Sequence, residues 1–269
     1  MRDGAGEIIV VDSGSSDRTL EIAKSLGAKV FEEDWKGFAA QKNSAIDKAT
    51  GDWVLSLDAD EELDADLQKA LQDTLEGWSL YSRLNQEAGT HPLTLEDALS
   101  DVEWHVGAKP EEVGGLFIAR KNFFLGRWIR HGGFFPDPKL RLFRRGAGHF
   151  EDRAVHETLK VEGRIGTMRY GALLHHAYPT LSSYIDHMNR YSSLGAQMAI
   201  EKGHNSFSLF NIIVRPGATF FYNYIFRLGF LDGREGLLLH LYHAVYVSWK
   251  YAKAWEMSRV GGPSKSGNS

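Results

Sequence analysis

Over the first sixty positions, apolar runs that stop at an acid or a glycine alternate with stretches of helical composition. Glu7-Ile8-Ile9-Val10-Val11-Asp12 predicts a buried strand ending on an acid. Positions 13–17 predict a turn with N-cap residues, and Thr19 to Leu26 a helix stopped by Gly27. Ala28 to Phe31 predicts a second strand, and Gly37 to Lys48 has helix-forming composition. Gly51 closes that helix and opens a nearly continuous apolar run, Trp53 to Leu57, which suits a strand covered on both faces. The run ends in Asp58-Ala59-Asp60-Glu61-Glu62, and Leu63, Leu67, Ala70, Leu71 and Leu75 mark a helix beyond it. A β-α-β-α-β order of this kind predicts an α/β fold with a Rossmann-like, mostly parallel sheet and helices on both faces.

After Gly77 the period is lost, and 79–112 reads as an insertion with a short helix over Leu95 to Trp104. Order resumes at Gly114, and Lys139 to Arg145 alternates basic and apolar residues as a half-exposed edge strand does. Met168 to Tyr178 predicts a further strand and Ser182 to Gly203 a packing helix. The apolar, aromatic 205–259 has Gly236 to Trp249 as its longest apolar run, broken by His240 and His243. That is short of the roughly 20 residues of a membrane span. Interfacial helices on an anionic membrane face are the expectation, with core burial or a dimer contact as the rival. The expected organisation is 1–112, 113–204, 205–259 and a disordered polar tail over 260–269.

The 269 residues suffice for one large domain or two subdomains around a cleft, and the absence of cysteine excludes a disulfide framework and thiolate chemistry. No apolar leader follows Met1, so a cytoplasmic location is expected. Positions 1–114 carry 10 Lys/Arg against 25 Asp/Glu, whereas 115–170 carry 12 against 5. An acidic half is thus joined to a basic one, which suggests an anionic partner for the latter. No long basic run or zinc finger points to nucleic acid.

Asp12 and Asp58 are both expected at carboxyl ends of strands in one sheet, where α/β proteins bind ligands. Asp58 and Asp60 leave their strand on the same side, and two such carboxylates repel unless a cation lies with them. They either hold a hard divalent ion shared with a diphosphate or form an acidic first turn that favours the next helix, together with Glu61, Glu62 and Asp64.

The segments Ile9 to Thr19, Gln41-Lys42-Asn43 and Leu57-Asp58-Ala59-Asp60-Glu61 resemble the nucleotide-sugar half of family 2 glycosyltransferases, of GT-A fold. The resemblance implies that Asp12 and its loop hold the nucleoside of a UDP-sugar, with Ser13 standing where many members carry a second acid. It implies Lys42 near the uracil or diphosphate, and Asp58 with Asp60 as an Asp-x-Asp site for Mg²⁺ or Mn²⁺. It also implies an earlier strand, so the sequence is expected to begin inside the fold.

Gly126-Arg127, His131-Gly132-Gly133, Pro136-Asp137, Arg141-Leu142-Phe143 and Val155-His156-Glu157 resemble a bacterial subgroup that includes lipopolysaccharide core β-glucosyltransferases. By that resemblance Glu157 is the candidate base and Asp137 the second candidate. His156 would orient Glu157 or touch the diphosphate, unless it is a hydrogen-bonded core residue. His175 is a candidate late metal ligand, with a satisfied, buried histidine as the alternative. Arg130, His131 and Arg141 either contact an anionic acceptor or serve the local fold.

The function implied is an inverting, metal-dependent transfer of a hexose, glucose from UDP-glucose, to a lipid-linked or phosphorylated glycan such as lipopolysaccharide inner core. It would take place peripherally on the cytoplasmic membrane face. The alternatives are a polyprenyl phosphate or protein acceptor, or a truncated, inactive nucleotide- or membrane-binding module. The sequence leaves the oligomeric state open.

Overall fold

The structure is a computed structural model that describes residues 5–87, 102–103, 112–151, 157–204 and 206–260. His156, most of the expected 95–104 helix and the tail beyond 260 lie outside the described residues. The chain divides into two compact units, residues 1–120 with 138–174, and residues 121–137 with 175–269. The first unit therefore runs on past the expected boundary at 112/113.

In the first unit, β1 (Ile9–Asp12) and β2 (Lys29–Glu32) pair in parallel around α1 (Thr19–Ser25). α2 (Phe38–Asp47) follows, then β3 (Trp53–Leu55) and β4 (Glu61–Leu63). The bounds from β1 to β3 lie within two residues of the sequence expectation, because acids and glycines act locally, whereas β4 replaces the helical first turn expected at Glu61 and Glu62. The next helix, α3 (Ala65–Glu87), begins where the Asp64 carboxylate accepts the Leu67 N–H at 2.8 Å. The same oxygen accepts the Ala172 N–H at 3.1 Å, so one cap also ties down a distant loop.

The α/β expectation holds, but parallel pairing is limited. A five-stranded sheet runs β3, β9 (Lys139–Arg144), β6 (Val113–Ile118), β12 (Arg164–Met168), β5 (Val102–Glu103). Within it only β6 and β12 are parallel; β3 with β9, β9 with β6 and β12 with β5 are antiparallel. By hydrogen bonding, β1 and β3 belong to different sheets, so Asp12 and Asp58 do not end strands of one sheet as expected. Val102 and Glu103 are strand rather than helix, paired with Met168 and Thr167.

β9 is not an edge strand either. It lies between β3 and β6, with Arg141, Leu142 and Phe143 all buried. Its basic residues have internal partners: the Arg144 guanidinium lies over the Trp53 and Trp78 rings at 5.2 and 4.9 Å. The core of this unit sets Leu67, Leu71 and Trp78 of α3 against Leu116, Ile118, Leu142 and Leu173.

The second unit contains β8 (Arg127–Trp128), antiparallel to β7 (Arg120–Phe124), and α4 (Leu181–Glu201). Thr180 caps α4 reciprocally with Ser183. A helix built from π-turns and α5 (Arg215–Phe221) precedes a short 3₁₀ turn at Gly229–Asp232 and then α6 (Gly233–Val260). Phe124, Ile129, Tyr184 and Leu239 form its core, and Ala196, Ala199 and Ala254 let α4 and α6 approach closely. Core burial thus describes α6, although interfacial packing was expected for all of 205–259.

Candidate functional site

A chain of charged side chains runs through the first unit from Lys42 on α2 to Glu157. The Lys42 ammonium, on α2, lies 2.7 Å from Asp58 Oδ1 and 2.6 Å from Glu157 Oε1. It also stands over the Phe150 ring at 5.0 Å. α2 is held there by Asn43, whose amide donates to the Phe150 carbonyl at 2.9 Å and accepts the Phe150 N–H at 2.8 Å. The family resemblance included Asn43 without a role; its two-way bond fixes the strand Gly148–Glu151 beside Lys42.

Asp58 is held from the other side by Arg141, whose Nη2 donates to Asp58 Oδ2 at 2.5 Å and to Glu61 Oε1 at 2.8 Å. Burial pushes the Asp58 pKa up, but Arg141 and Lys42 together outweigh it and hold the carboxyl below its ordinary range. Glu61 is the residue that sequence reasoning misplaced. Its side chain is fully buried and takes a second arginine, Arg120, at 3.1 Å. Glu61 Oε2 accepts the Asp58 N–H at 3.1 Å, and the Glu61 N–H donates to the Asp58 carbonyl at 3.0 Å. It closes the Asp58 to Glu61 turn instead of serving a helix first turn. The available signal was Asp64, a cap-type residue that starts α3 only after Leu63.

Arg141 is correspondingly removed from the acceptor set. It is 6% exposed and its guanidinium is engaged by two internal carboxylates. Asp12 is engaged locally. Its carboxylate accepts the Gly14 N–H at 2.8 Å, the Ser15 N–H at 2.9 Å and the Ser15 hydroxyl at 2.5 Å. Those bonds, Ser15 first, lower its pKa and shape the loop on which Ser13 is exposed. Asp60 is exposed at the turn made by Asp58 and Glu61.

Among the described residues, no group of three or more His, Asp or Glu side chains forms a metal cage. Asp58 already faces two cations, which leaves Asp60 as the exposed carboxylate of the pair. This donor set fits an ion such as Mg²⁺ that takes one or two carboxylates and completes its shell with phosphate oxygens and water. It does not fit an all-protein site.

The remaining candidates belong to the second unit. Asn122 Nδ2 donates to Asp137 at 3.1 Å, and Asn122 Oδ1 pairs with His175 Nδ1 at 2.7 Å, so His175 is a hydrogen-bonded histidine. The His131 and Arg130 N–H groups donate to the buried Asp232 carboxylate at 2.8 and 3.2 Å, and His131 Nδ1 lies 3.0 Å from it. The Arg130 side chain stacks on Trp128 at 4.2 Å. Gly132 and Gly133 have φ of 66° and 87°, and side chains there would meet the His240 ring and the Arg227 guanidinium. The His-Gly-Gly motif therefore anchors this unit's own fold. Asp232, 100 positions downstream, carried no local signal.

Among known proteins, a relative 28% identical over 93% of this chain and 83% of its own length is the lipopolysaccharide core biosynthesis glycosyltransferase LpsC of Rhizobium meliloti (strain 1021). The low-salt glycan biosynthesis hexosyltransferase Agl6 of Haloferax volcanii is 36% identical over 53% of this chain and 31% of its own length. The solved structure of S. aureus TarS 1-349 aligns over 96% of this chain and 83% of that one, at 16% identity and a TM-score of 0.32. Residues 4–147 match the family model of glycosyl transferase family 2. With more than half of its length so matched, the chain belongs to glycosyl transferase family 2, and it is a glycosyltransferase.

Proposed function

We propose that this chain is an inverting hexosyltransferase that moves glucose from UDP-glucose to a lipid-linked glycan of the lipopolysaccharide inner-core type, at the cytoplasmic face of the membrane. The observation that carries the reading is the Lys42 bridge, which joins Asp58, of the Asp-x-Asp turn, to Glu157, the candidate base. The acceptor class and the hexose draw support from the similarity to LpsC, a lipopolysaccharide core biosynthesis glycosyltransferase, and Agl6, a hexosyltransferase.

Direct inversion needs a base for the acceptor hydroxyl proton, and Glu157, half-buried on its lysine, is a carboxylate positioned for it. Lys42 is a point charge of the kind that pairs with a diphosphate. When donor binds, its ammonium exchanges the carboxylates for phosphate oxygens, and Glu157 turns to the hydroxyl. Asp60, with Asp58, would hold Mg²⁺ or Mn²⁺, which offsets charge on the departing diphosphate. Asp12 shapes the loop that receives the nucleoside.

The test is calorimetric titration with UDP, with and without Mn²⁺, beside transfer from UDP-glucose to deacylated inner-core acceptor. Glu157→Gln should keep UDP binding within a few-fold and lower transfer by about 10²–10⁴-fold, the usual contribution of a general base. Undiminished transfer overturns the assignment of the base, and absence of UDP binding by the parent chain overturns the donor.

A further inference from the structure

The helix over 209–227 in the second unit turns its apolar residues outward. Phe210–Val214 and Tyr222–Phe226 wind as π-turns on either side of α5. On the inner face Pro216 is buried and Ile212, Phe220 and Asn223 are half-buried, with the Ile212 carbonyl accepting from Ser248 of α6 at 2.9 Å. The outer face carries Phe210, Ile213, Val214, Phe221 and Ile225, spaced for one side of a helix and all exposed. Phe226 is 76% exposed, and Leu228, Phe230 and Leu231 extend the exposed apolar surface past the turn. Scattered apolar residues on a surface need no explanation, but a contiguous set this large marks an interaction site.

Its charge narrows the partner. Between 206 and 231 there is no Asp or Glu, and the two charged residues, Arg215 and Arg227, are exposed. The next acid, Asp232, is buried and engaged by backbone N–H groups. Burial lowers the Lys250 pKa, and the nearby Arg215 and Lys202 lower it further. A second copy of the chain docked on this face would set arginine against arginine about a two-fold axis, with no acid within the face to pair them. An anionic lipid surface satisfies both features: apolar side chains enter the acyl boundary and arginines meet phosphate. Among the described residues no helix is long and apolar enough to cross a membrane, which suits a helix lying in the interface.

We infer that 209–231 is the membrane-docking face of this enzyme, lying in the interface of an anionic bilayer. The inference deepens the membrane-side reading of the proposed function, and it stands on the second unit alone.

The full chain is pelleted with vesicles of phosphatidylcholine, alone or mixed with phosphatidylglycerol. Binding is expected on the anionic vesicles, weaker on the neutral ones, and reduced by salt. Phe221→Asp with Phe226→Asp should lower the bound fraction about tenfold or more. Ile213→Ser with Ile225→Ser serves as the milder pair should the first fail to fold, and circular dichroism confirms folding of each. No binding to anionic vesicles, or equal binding by folded variants, overturns the inference. So does a lipid-free dimer that the variants dissolve, which would assign the face to a second copy. Neither donor nor acceptor enters the assay, so its failure leaves the transfer reaction standing, and failed transfer leaves vesicle binding to be read independently.

Discussion

Lys42 and Arg141 between them face Asp58, Glu61 and Glu157, and the two cations have different tasks. Arg141 is almost fully buried with two carboxylates, and removing it takes one of two arginines from Glu61, whose side chain has no solvent contact. Arg141→Met should therefore cost about 3 kcal/mol in urea unfolding, with Arg120 left as the only arginine shown at Glu61. Combining it with Glu61→Leu should cost less than the sum of the two, because the uncompensated anion is gone. Lys42, at 20% side-chain exposure, is open enough to exchange partners. Gly132 is constrained differently: its φ of 66° suits glycine, and an added Cβ would lie 2.0 Å from the His240 ring. Gly132→Ala should lower stability by about 2 kcal/mol or more, checked by the same unfolding curve. None of this was readable from local pattern. A basic-apolar alternation looks alike on an edge strand and on a buried strand whose arginines have carboxylate partners.

At the scale of elements, capping was only partly read: α1 starts after Arg18 with no side-chain cap, although N-cap residues were expected over 13–17, and Asp64 caps α3 where an acidic first turn was expected. Asp64 joins the start of α3 to the loop before β13 (Leu173–Tyr178), so Asp64→Ala removes a cap and a loop tether together. The expected loss is about 1–2 kcal/mol in thermal or urea unfolding, at the upper end of a single cap. The C-terminal half shows where composition is ambiguous. α6 and the helix before it are similarly rich in apolar and aromatic residues, yet Leu239, His240, Ala244 and Ala254 of α6 are buried while Phe210, Ile213 and Phe221 are exposed. Periodicity finds a helix and cannot say which face meets a neighbour.

Across the molecule, the pKa shifts place two acid-sensitive windows. Glu7, bonded to Lys29 and Thr50, and Glu33, bonded first to Lys48 and then to Ser44 and Lys36, are both lowered to about 2. Asp58 and Asp12 are lowered as well. Depressed carboxylates stabilise the fold above their unfolded pKa, and that contribution is lost as pH falls through the folded value. The first unit should thus weaken from about pH 4.5 towards 2. His240, lowered to about 4 chiefly by burial and then by His243, acts over a different range. Its unfolded form takes up a proton that the buried ring does not, so the second unit should lose stability as pH falls from about 6.5 to 4. Calorimetric scans at pH 7, 5 and 3 check both windows. Melting temperature should already fall at pH 5, and His240→Phe should remove part of that early loss, the rest belonging to His243, which burial also lowers; an unchanged melting temperature at pH 3 contradicts the carboxylate assignment.

By itself, the sequence determined the α/β order of 9–55, the stop of α1 at Gly27 and the placing of Asp58 and Asp60 just beyond the end of β3. Each of these follows from residues within a few positions of one another. Tertiary structure alone decided that Lys42 reaches Glu157 across 115 positions and that Arg141 reaches Asp58 across 83. It also buried Glu61 and turned the apolar side of 209–227 outward. Charge pairing and burial depend on what chain folding brings opposite a side chain, and no local period records that.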